Sequence, residues 1–199
     1  LNPSHLYADS GIYTVKLILT SYNGCTDSIL QDVQVYLQPV ADFTLNNECF
    51  ATAIQFTNNS TIGNNISYLW NFDDGTTDIT ANPSHNYANA DSFNVQLHVS
   101  TSYGCMDSVK QLAIVYPLPR PQFTGTDECF GFTTQFTDGS TIQSGNIQQY
   151  RWNFGDGNSS SAINPAHTYS AVGIYNVVLT LTSALGCYDS VSTTVEVYL

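Results

Sequence analysis

Positive charge is scarce in this chain. Four lysine and arginine residues stand against sixteen aspartate and glutamate residues, so the formal net charge at pH 7 is −12. A surface of that sign repels the phosphate backbone of DNA and RNA. The sequence therefore predicts no nucleic-acid partner.

Long apolar runs are also missing. None approaches the roughly 20 residues that a membrane-spanning helix needs. The sequence opens at Leu1 without the basic segment of a signal peptide. We therefore expect neither membrane insertion nor a signal peptide within these 199 residues.

Three copies of one pattern run through the chain. Asn-Pro-x-His-x-Tyr starts at Asn2, Asn82 and Asn164, and Gly-Cys-x-Asp-Ser starts at residues 24, 104 and 186. The spacing of about eighty residues defines the repeat. We place a truncated repeat at 1–37, which holds only the last strands of its copy, and whole repeats at 38–117 and 118–199.

The joints between repeats are rich in proline. Gln38-Pro39 precedes repeat two, and three prolines at 117, 119 and 121 precede repeat three. Short proline-rich linkers favour extended geometry, which predicts repeats placed end to end. Because 1–37 cannot bury a core alone, we expect the protein to continue upstream.

Alternating apolar residues indicate β-strands. Phe93, Val95, Leu97 and Val99 alternate with polar residues, and residues 13–19 and 175–181 follow the same pattern. Short strands separated by Asn, Gly, Ser and Asp predict an all-β fold of tandem antiparallel β-sandwiches. The aromatic residues that precede the shared turn should point inward and place one tryptophan at each core: Tyr68, Trp70, Phe72, Tyr150, Trp152 and Phe154.

The five cysteines follow the repeats. Cys49 and Cys105 fall in repeat two, and Cys129 and Cys187 fall in repeat three. Cys25 belongs to the truncated repeat, so we expect its partner to lie outside the 199 residues. One pair at matched positions in each repeat predicts the disulfides Cys49–Cys105 and Cys129–Cys187, and an oxidising compartment. Metal ligation and free buried thiols are the alternatives, and the clustered CxxC spacing of metal sites does not occur.

Taken together, these motifs resemble the PKD domain, an immunoglobulin-like repeat. The resemblance rests on Trp-x-Phe-Gly-Asp-Gly at 152–157, Asn-Pro-x-His-x-Tyr at 164–169 and Gly-x-Tyr-x-Val at 173–177. Repeat two departs from it with Asp73 in place of glycine and with Ser92-Phe93 in place of Gly-Tyr. The cysteine pairs make the chain similar to PKD arrays of large surface adhesins and of type IX secretion cargo in gliding bacteria.

Local physics explains much of the motif. Gly155 and Gly157 suit a tight turn, Asp156 can accept hydrogen bonds from turn amides, and His167 and Tyr169 are expected to pair with neighbouring backbone groups. Some PKD domains bind calcium, and carboxylates at Asp73, Asp74, Asp78 and Asp156 are hard oxygen ligands of the required kind. Turn stabilisation is the alternative. We favour it because the family's acidic loop is replaced here by residues poorer in charge at 58–61 and 138–141.

The resemblance also suggests a modification. Asp-Ser followed by an apolar residue resembles the O-glycosylation acceptor of that bacterial group, which makes Ser28, Ser108 and Ser190 candidate acceptors. A turn that leads into the last strand of the repeat is the alternative, and both can hold together.

No catalytic constellation stands out in the sequence. His5, His85 and His167 recur once per repeat without a nucleophile or a second ligand, and neither HExxH nor GxSxG occurs. We therefore predict a protein that is not an enzyme and has no cofactor.

Two functions are consistent with these sequence features. The first is a structural spacer or stalk in an extracellular or cell-surface adhesin, whose partners are the neighbouring repeats of the chain. The second is a module that binds polysaccharide or protein beside a secreted hydrolase. Binding would need exposed rings, and Tyr22, Tyr103 and Tyr188 are the best candidates for exposure.

Overall fold

The computed structural model describes residues 2–61 and 66–199. Within these ranges all of the regular secondary structure is β-strand. Among the described residues there is no helix long and apolar enough to cross a membrane. The strands are β1 (Gly11–Thr20), β2 (Thr26–Val35), β3 (Phe43–Leu45), β4 (Glu48–Cys49), β5 (Ile54–Asn58), β6 (Ile66–Asn71), β7 (Thr77–Asp78), β8 (Ser84–His85), β9 (Ser92–Thr101), β10 (Met106–Tyr116), β11 (Pro119–Arg120), β12 (Phe123–Gly125), β13 (Glu128–Cys129), β14 (Thr134–Asp138), β15 (Thr141–Ile142), β16 (Ile147–Asn153), β17 (Ser159–Ser160), β18 (Ala166–His167), β19 (Gly173–Ser183) and β20 (Tyr188–Tyr198).

The chain folds into two compact units. The first contains Leu1–Asn46, Gln55–His85 and Phe93–Ala113, and the second contains Asn47–Ile54, Asn86–Ser92 and Ile114–Leu199. These units do not coincide with the sequence repeats, because short segments of repeat two at 47–54, 86–92 and 114–117 group with repeat three.

The first unit contains most of a β-sandwich and one isolated hairpin. A sheet of order β3-β5-β8 faces a sheet of order β4-β10-β9-β6-β7, most of which belongs to this unit. The buried side chains of this core include Phe43, Phe56, Trp70, Phe72, Val95, Leu97, Val99 and Ala113. The hairpin β1-β2 pairs in register from Gly11 and Val35 to Thr20 and Thr26, and forms a sheet of its own.

The second unit contains a sandwich of the same order. One sheet runs β12-β14-β18 and the other runs β13-β20-β19-β16-β17. Its core residues are Phe123, Phe136, Trp152, Phe154, Tyr169, Val177, Leu179, Leu181, Val195 and Val197. The prediction of an all-β fold with tandem immunoglobulin-like sandwiches is therefore confirmed.

Strand alternation places the core as expected. Val177, Leu179 and Leu181 on β19 are fully buried, whereas Val178 and Thr180 between them are half-buried. In the hairpin β1-β2 no second sheet of the described residues covers the same alternation, so Leu17 and Leu19 are 54% and 63% exposed. This agrees with the expectation that 1–37 cannot bury a core alone.

One core position differs in chemistry between the two sandwiches. Ile54 begins β5, and Thr134 occupies the matching position at the start of β14. Both side chains are fully buried. The hydroxyl of Thr134 has no hydrogen-bond partner among the described residues, and leaving a buried hydroxyl unpaired costs about 1–3 kcal/mol.

Candidate functional site

Each sandwich is built around one tryptophan. Trp152 is fully buried and packs edge-on against Phe123, with ring centroids 4.9 Å apart. Its indole N–H donates to the carbonyl oxygen of Ala162 at 2.8 Å. Trp70 repeats this arrangement and donates to Thr80 at 2.9 Å. The predicted core role of both tryptophans is confirmed.

The turn after this tryptophan strand is held by an aspartate and a histidine. In the second unit the Asp156 carboxylate accepts hydrogen bonds from the amide and the side chain of Asn158, both at 3.0 Å. Its other contact is with Nε2 of His167, at 2.7 Å. The predicted role of Asp156 is thus confirmed, whereas His167, which was expected to pair with the backbone, binds this carboxylate.

Aromatic stacking fixes the histidine in place. The His167 ring lies parallel to Phe154 at 4.2 Å and meets Tyr169 edge-on at 4.6 Å. Tyr169 then stacks on Tyr175 at 4.0 Å, and its hydroxyl donates to the carbonyl oxygen of Phe154 at 3.1 Å. The hydrogen bond from Tyr169 to the backbone was expected from the sequence. In the segment before β1, His5 meets Tyr7 edge-on at 4.7 Å in the same manner.

The first unit contains the same turn with one change of partner. Asp74 accepts from the amide and the hydroxyl of Thr76 at 3.0 and 2.6 Å, and lies 2.6 Å from Nε2 of His85. The ring of His85 stacks on Phe72 at 4.1 Å. Two copies of one carboxylate, histidine and phenylalanine cluster therefore occur, which we call the Asp-His turn.

The electrostatics of the Asp-His turn favour the ionised carboxylate. Burial alone would raise the pKa of Asp156, but hydrogen bonds from His167 and Asn158 outweigh it and lower the pKa. The pKa of Asp74 is lowered in the same way, because bonds from Thr76 and His85 outweigh its burial. Burial, followed by the nearby charge of Asp156, raises the pKa of the Tyr169 phenol to about 12.

The residue before the turn aspartate has a left-handed backbone in both copies. Gly155 has φ of +83°, and a Cβ built there would lie 2.7 Å from the carbonyl oxygen of Asn176. Glycine is therefore required by conformation and by space. The counterpart in the first unit, Asp73, adopts φ of +66°, and its carboxylate accepts from the Asn94 amide at 2.8 Å. This capping bond explains how repeat two departs from the glycine pattern.

The carboxylates considered for calcium are occupied by local bonds. Asp73 and Asp74 accept the bonds described above, and Asp78 accepts from the amide and hydroxyl of Thr80 at 2.6 and 2.7 Å. In the described ranges no three His, Cys, Asp or Glu side chains form a group able to hold a metal ion. The hydrogen bonds of these carboxylates agree with turn stabilisation, and calcium binding stays a prediction.

The disulfide differs from the predicted pairing. Cys49 is bonded to Cys187, and both lie in the second compact unit. The predicted bonds Cys49–Cys105 and Cys129–Cys187 are wrong, since Cys25, Cys105 and Cys129 carry free thiols.

Strand register explains why those bonds cannot form. Cys129 lies opposite Tyr198 at the end of β20, whereas Cys187 precedes Tyr188 at its start. A strand of this length spans about 33 Å at ~3.3 Å per residue. A disulfide needs Cα atoms within about 7 Å, and those of Cys49 and Cys187 are 5.6 Å apart. Repeat two shows the same separation, because Cys49 lies opposite Tyr116 at the far end of β10 from Cys105.

The candidate glycosylation sites lie on exposed backbone. Ser28, Ser108 and Ser190 are all exposed and each sits near the start of the strand after a hairpin turn. The preceding aspartate accepts the amide of Ser28 at 2.8 Å and that of Ser190 at 2.7 Å. These bonds agree with the turn alternative, and the sites remain predictions as acceptors.

The candidate binding tyrosines are exposed as predicted. Tyr22 is fully exposed, and Tyr103 and Tyr188 expose 58% and 70% of their surface. Tyr103 stacks on Tyr36 with centroids 3.9 Å apart, so one of its faces is covered.

Paired sandwiches with a central tryptophan and an Asp-His turn define a tandem immunoglobulin-like repeat protein. The model of the PKD domain family matches residues 36–116 and 118–198. The chain therefore belongs to the PKD domain family.

Relatives with this match are much larger proteins. The pre-pro-metalloprotease PrtV of Vibrio cholerae is 31% identical over 122 residues, which cover 61% of this chain and 13% of PrtV. Collagenase ColA of Bacillus cereus is 39% identical over 61 residues, which cover 31% of this chain and 6% of the collagenase.

Solved structures of single PKD domains resemble parts of the chain. The PKD1 domain of Vibrio anguillarum Epp is 28% identical with a TM-score of 0.39, and covers 41% of this chain and 95% of that domain. The PKD1 domain of Vibrio cholerae PrtV is 30% identical with a TM-score of 0.38, and covers 43% of this chain and 100% of that domain.

Proposed function

We propose that this chain is a non-catalytic spacer or stalk of tandem PKD domains in a large extracellular or cell-surface protein of the adhesin type. Its repeats divide at residues 38 and 118, and its partners are the neighbouring repeats. The comparisons support a tandem PKD module, and the spacer role is the step that we add.

The observation that carries this proposal is the use of the motif side chains within the fold. His167 is the residue best suited to acid-base chemistry, yet it lies against Phe154 and is bonded to Asp156. His85 repeats this arrangement on Phe72 and Asp74. A catalytic histidine would need to reach a substrate, whereas these rings hold a turn against the core.

The disulfide supports an extracellular location. A disulfide such as Cys49–Cys187 persists in oxidising compartments and is rare in the reducing cytosol. Surface proteins also tolerate a strong negative charge, which limits association between molecules. The similarity to a metalloprotease and a collagenase supports a second arrangement, in which the stalk is an accessory region of an enzyme.

The exposed tyrosines favour one second function, namely binding to a polysaccharide or to a protein fibre. Tyr22 and Tyr188 present free rings beside hairpin turns. Flat exposed rings can stack on sugars. The two functions predict different results in a retention assay.

The test is co-sedimentation of the full chain with insoluble chitin, cellulose and collagen, together with hydrolysis assays on casein and gelatin. The spacer proposal predicts no retention above that of a globular control protein, and no hydrolysis. Retention that is lost in Tyr22→Ala and Tyr188→Ala but kept in the matched surface variant Leu185→Ala would instead establish a binding module. Hydrolysis that resists repeated purification would refute the non-catalytic assignment.

A further inference from the structure

The cysteines fall into two classes, and each class has its own local backbone geometry. One class lies in Glu-Cys-Phe segments, which occur at Cys49 and Cys129. The other lies in Gly-Cys hairpin turns, at Cys25, Cys105 and Cys187. The bond between Cys49 and Cys187 joins one member of each class.

Members of the Glu-Cys-Phe class share their geometry. The residue after the cysteine donates its amide to the end of the last strand, from Phe50 to Tyr116 at 2.8 Å and from Phe130 to Tyr198 at 2.7 Å. Each cysteine carbonyl then accepts an amide three residues on at 3.0 Å. The free Cys129 is therefore held like the bonded Cys49.

Members of the Gly-Cys class also share one pattern of hydrogen bonds. Each cysteine carbonyl accepts the amide of the residue four positions earlier, at 2.8 Å for Cys25, 2.9 Å for Cys105 and 2.8 Å for Cys187. Each cysteine amide in turn donates to the hydroxyl of that earlier residue, at 3.1, 3.2 and 3.1 Å. Free and bonded members again have the same turn.

Within each class, the bonded member is less exposed than the free members. Cys187 is 1% exposed, whereas Cys25 is exposed and Cys105 is half-buried. Cys49 is half-buried, whereas Cys129 is exposed and the adjacent Phe130 is 51% exposed. The free cysteines therefore have the backbone geometry of their bonded counterparts but are more exposed.

We infer that every disulfide of this protein joins the Glu-Cys-Phe cysteine of one repeat to the Gly-Cys hairpin of the next. Cys129 then takes the Gly-Cys hairpin of a following PKD repeat, and Cys105 takes the Glu-Cys-Phe segment of the preceding repeat. Cys49 of repeat two and Cys187 of repeat three are the pair already formed by this rule. Such bonds make the array a covalently cross-linked chain, which deepens and rests on the proposed stalk function.

The chemistry requires a two-electron oxidant, for which oxidised glutathione serves. The Cys129 thiolate attacks one sulfur of glutathione disulfide and releases one glutathione thiolate. The hairpin thiolate then displaces the second glutathione and closes the protein disulfide. Two protein thiols lose two protons and two electrons, and one glutathione disulfide is reduced to two thiols.

The first measurement is non-reducing peptide mapping of the full chain after alkylation with iodoacetamide. The pairing rule predicts one linked peptide pair, Cys49 with Cys187, and alkylated thiols at Cys25, Cys105 and Cys129. Linked peptides Cys49–Cys105 and Cys129–Cys187 would overturn the rule at once.

The decisive measurement uses a longer chain, in which residues 1–199 run directly into a second copy of residues 38–117. This junction reproduces the natural sequence at 36–39, because Tyr198-Leu199 matches Tyr36-Leu37. Folding in a glutathione redox buffer should link Cys129 to the Cys105 of the added copy. A bond inside the added copy, or a free Cys129, would refute the inference.

Two matched variants of the longer chain sharpen the result. Cys129→Ser should leave one more alkylated thiol, on the added hairpin, whereas Cys105→Ser in the original repeat should leave the new bond unchanged. Loss of the bond in both variants would show unspecific exchange and refute the rule. A wrong pairing would leave the stalk proposal standing, whereas retention or hydrolysis would overturn the stalk and leave the pairing intact.

Discussion

Truncation of Trp152 should destabilise the second core strongly and leave the first core intact. The indole is fully buried, contacts Phe123 and Phe136, and donates to Ala162. Replacing a buried tryptophan with alanine costs about 3–5 kcal/mol. A domain of about eighty residues has a total stability of about 4–12 kcal/mol, so Trp152→Ala should leave this sandwich marginal.

The chain provides its own probes for this experiment. It contains two tryptophans, one in each core, so the variant Trp152→Ala retains only Trp70 as a fluorophore. Urea unfolding followed by Trp70 fluorescence then reports the first core. Hydrogen exchange of peptides from β19 reports the second. A domain of this size loses about 4–8 °C of midpoint per kcal/mol, so the second core should melt at least ~12 °C lower.

The mirror variant Trp70→Ala is the matched control, and Leu185→Ala is the surface control because its side chain is 58% exposed. Each tryptophan variant should weaken its own core, and the surface variant should change neither. A loss below about 1 kcal/mol in Trp152→Ala, or equal losses in both cores, would refute the view that each tryptophan anchors a separate core.

Four further outcomes are expected. Gly155→Ala should cost more than Gly157→Ala in thermal unfolding, because both have positive φ but only the first Cβ would meet a backbone carbonyl. Asp156→Asn should lower stability by about 2 kcal/mol at pH 7, as expected for hydrogen bonds to a charged group. Because the folded pKa of Asp156 lies below the ordinary 3.8, this difference should be full above pH 3.8 and should shrink as pH falls through the folded value. Tyr169 has a pKa raised to about 12 from 10. Its contribution to the free energy of unfolding should therefore be complete below pH 10 and disappear as pH rises towards 12, which thermal unfolding at alkaline pH can measure. Thr134→Val should raise stability by about 1 kcal/mol in urea titrations, because it removes an unpaired buried hydroxyl.

Each of these outcomes has a result that would contradict it. Equal losses in the two glycine variants would mean that the carbonyl moves aside without cost. A gap for Asp156→Asn that stays constant down to pH 2 would show that the carboxylate acts through shape and not through charge. Persistence of the Tyr169 contribution above pH 12 would contradict its raised pKa, and a destabilised Thr134→Val would indicate a partner for the hydroxyl.

Much of the fold could be predicted from local sequence. Alternation in β9 and β19 placed Val95, Leu97, Val177 and Leu179 in the core, because a strand shows successive side chains to opposite faces. The recurrence of the motif gave the tandem arrangement, and the turn chemistry of Asp156 followed from its position between two glycines. These features depend on neighbours in sequence, which the chain itself specifies.

Partners brought together by the tertiary structure could not be predicted in this way. No local pattern indicates that His167 binds Asp156 while it stacks on Phe154, since those contacts need two separate strands to meet. The same holds for Asp73, the counterpart of Gly155, whose carboxylate accepts a hydrogen bond from the amide of Asn94.

The cysteines show the division most clearly. In a repeated sequence, pairing within a repeat and pairing between successive repeats place cysteines at the same matched positions, so composition and spacing cannot separate them. The strand register decides, because it puts Cys129 beside Tyr198 and Cys187 at the opposite end of the same strand. The sequence alone determined that cysteines of two kinds recur in this protein, and only the tertiary structure decided which of them lie within bonding distance.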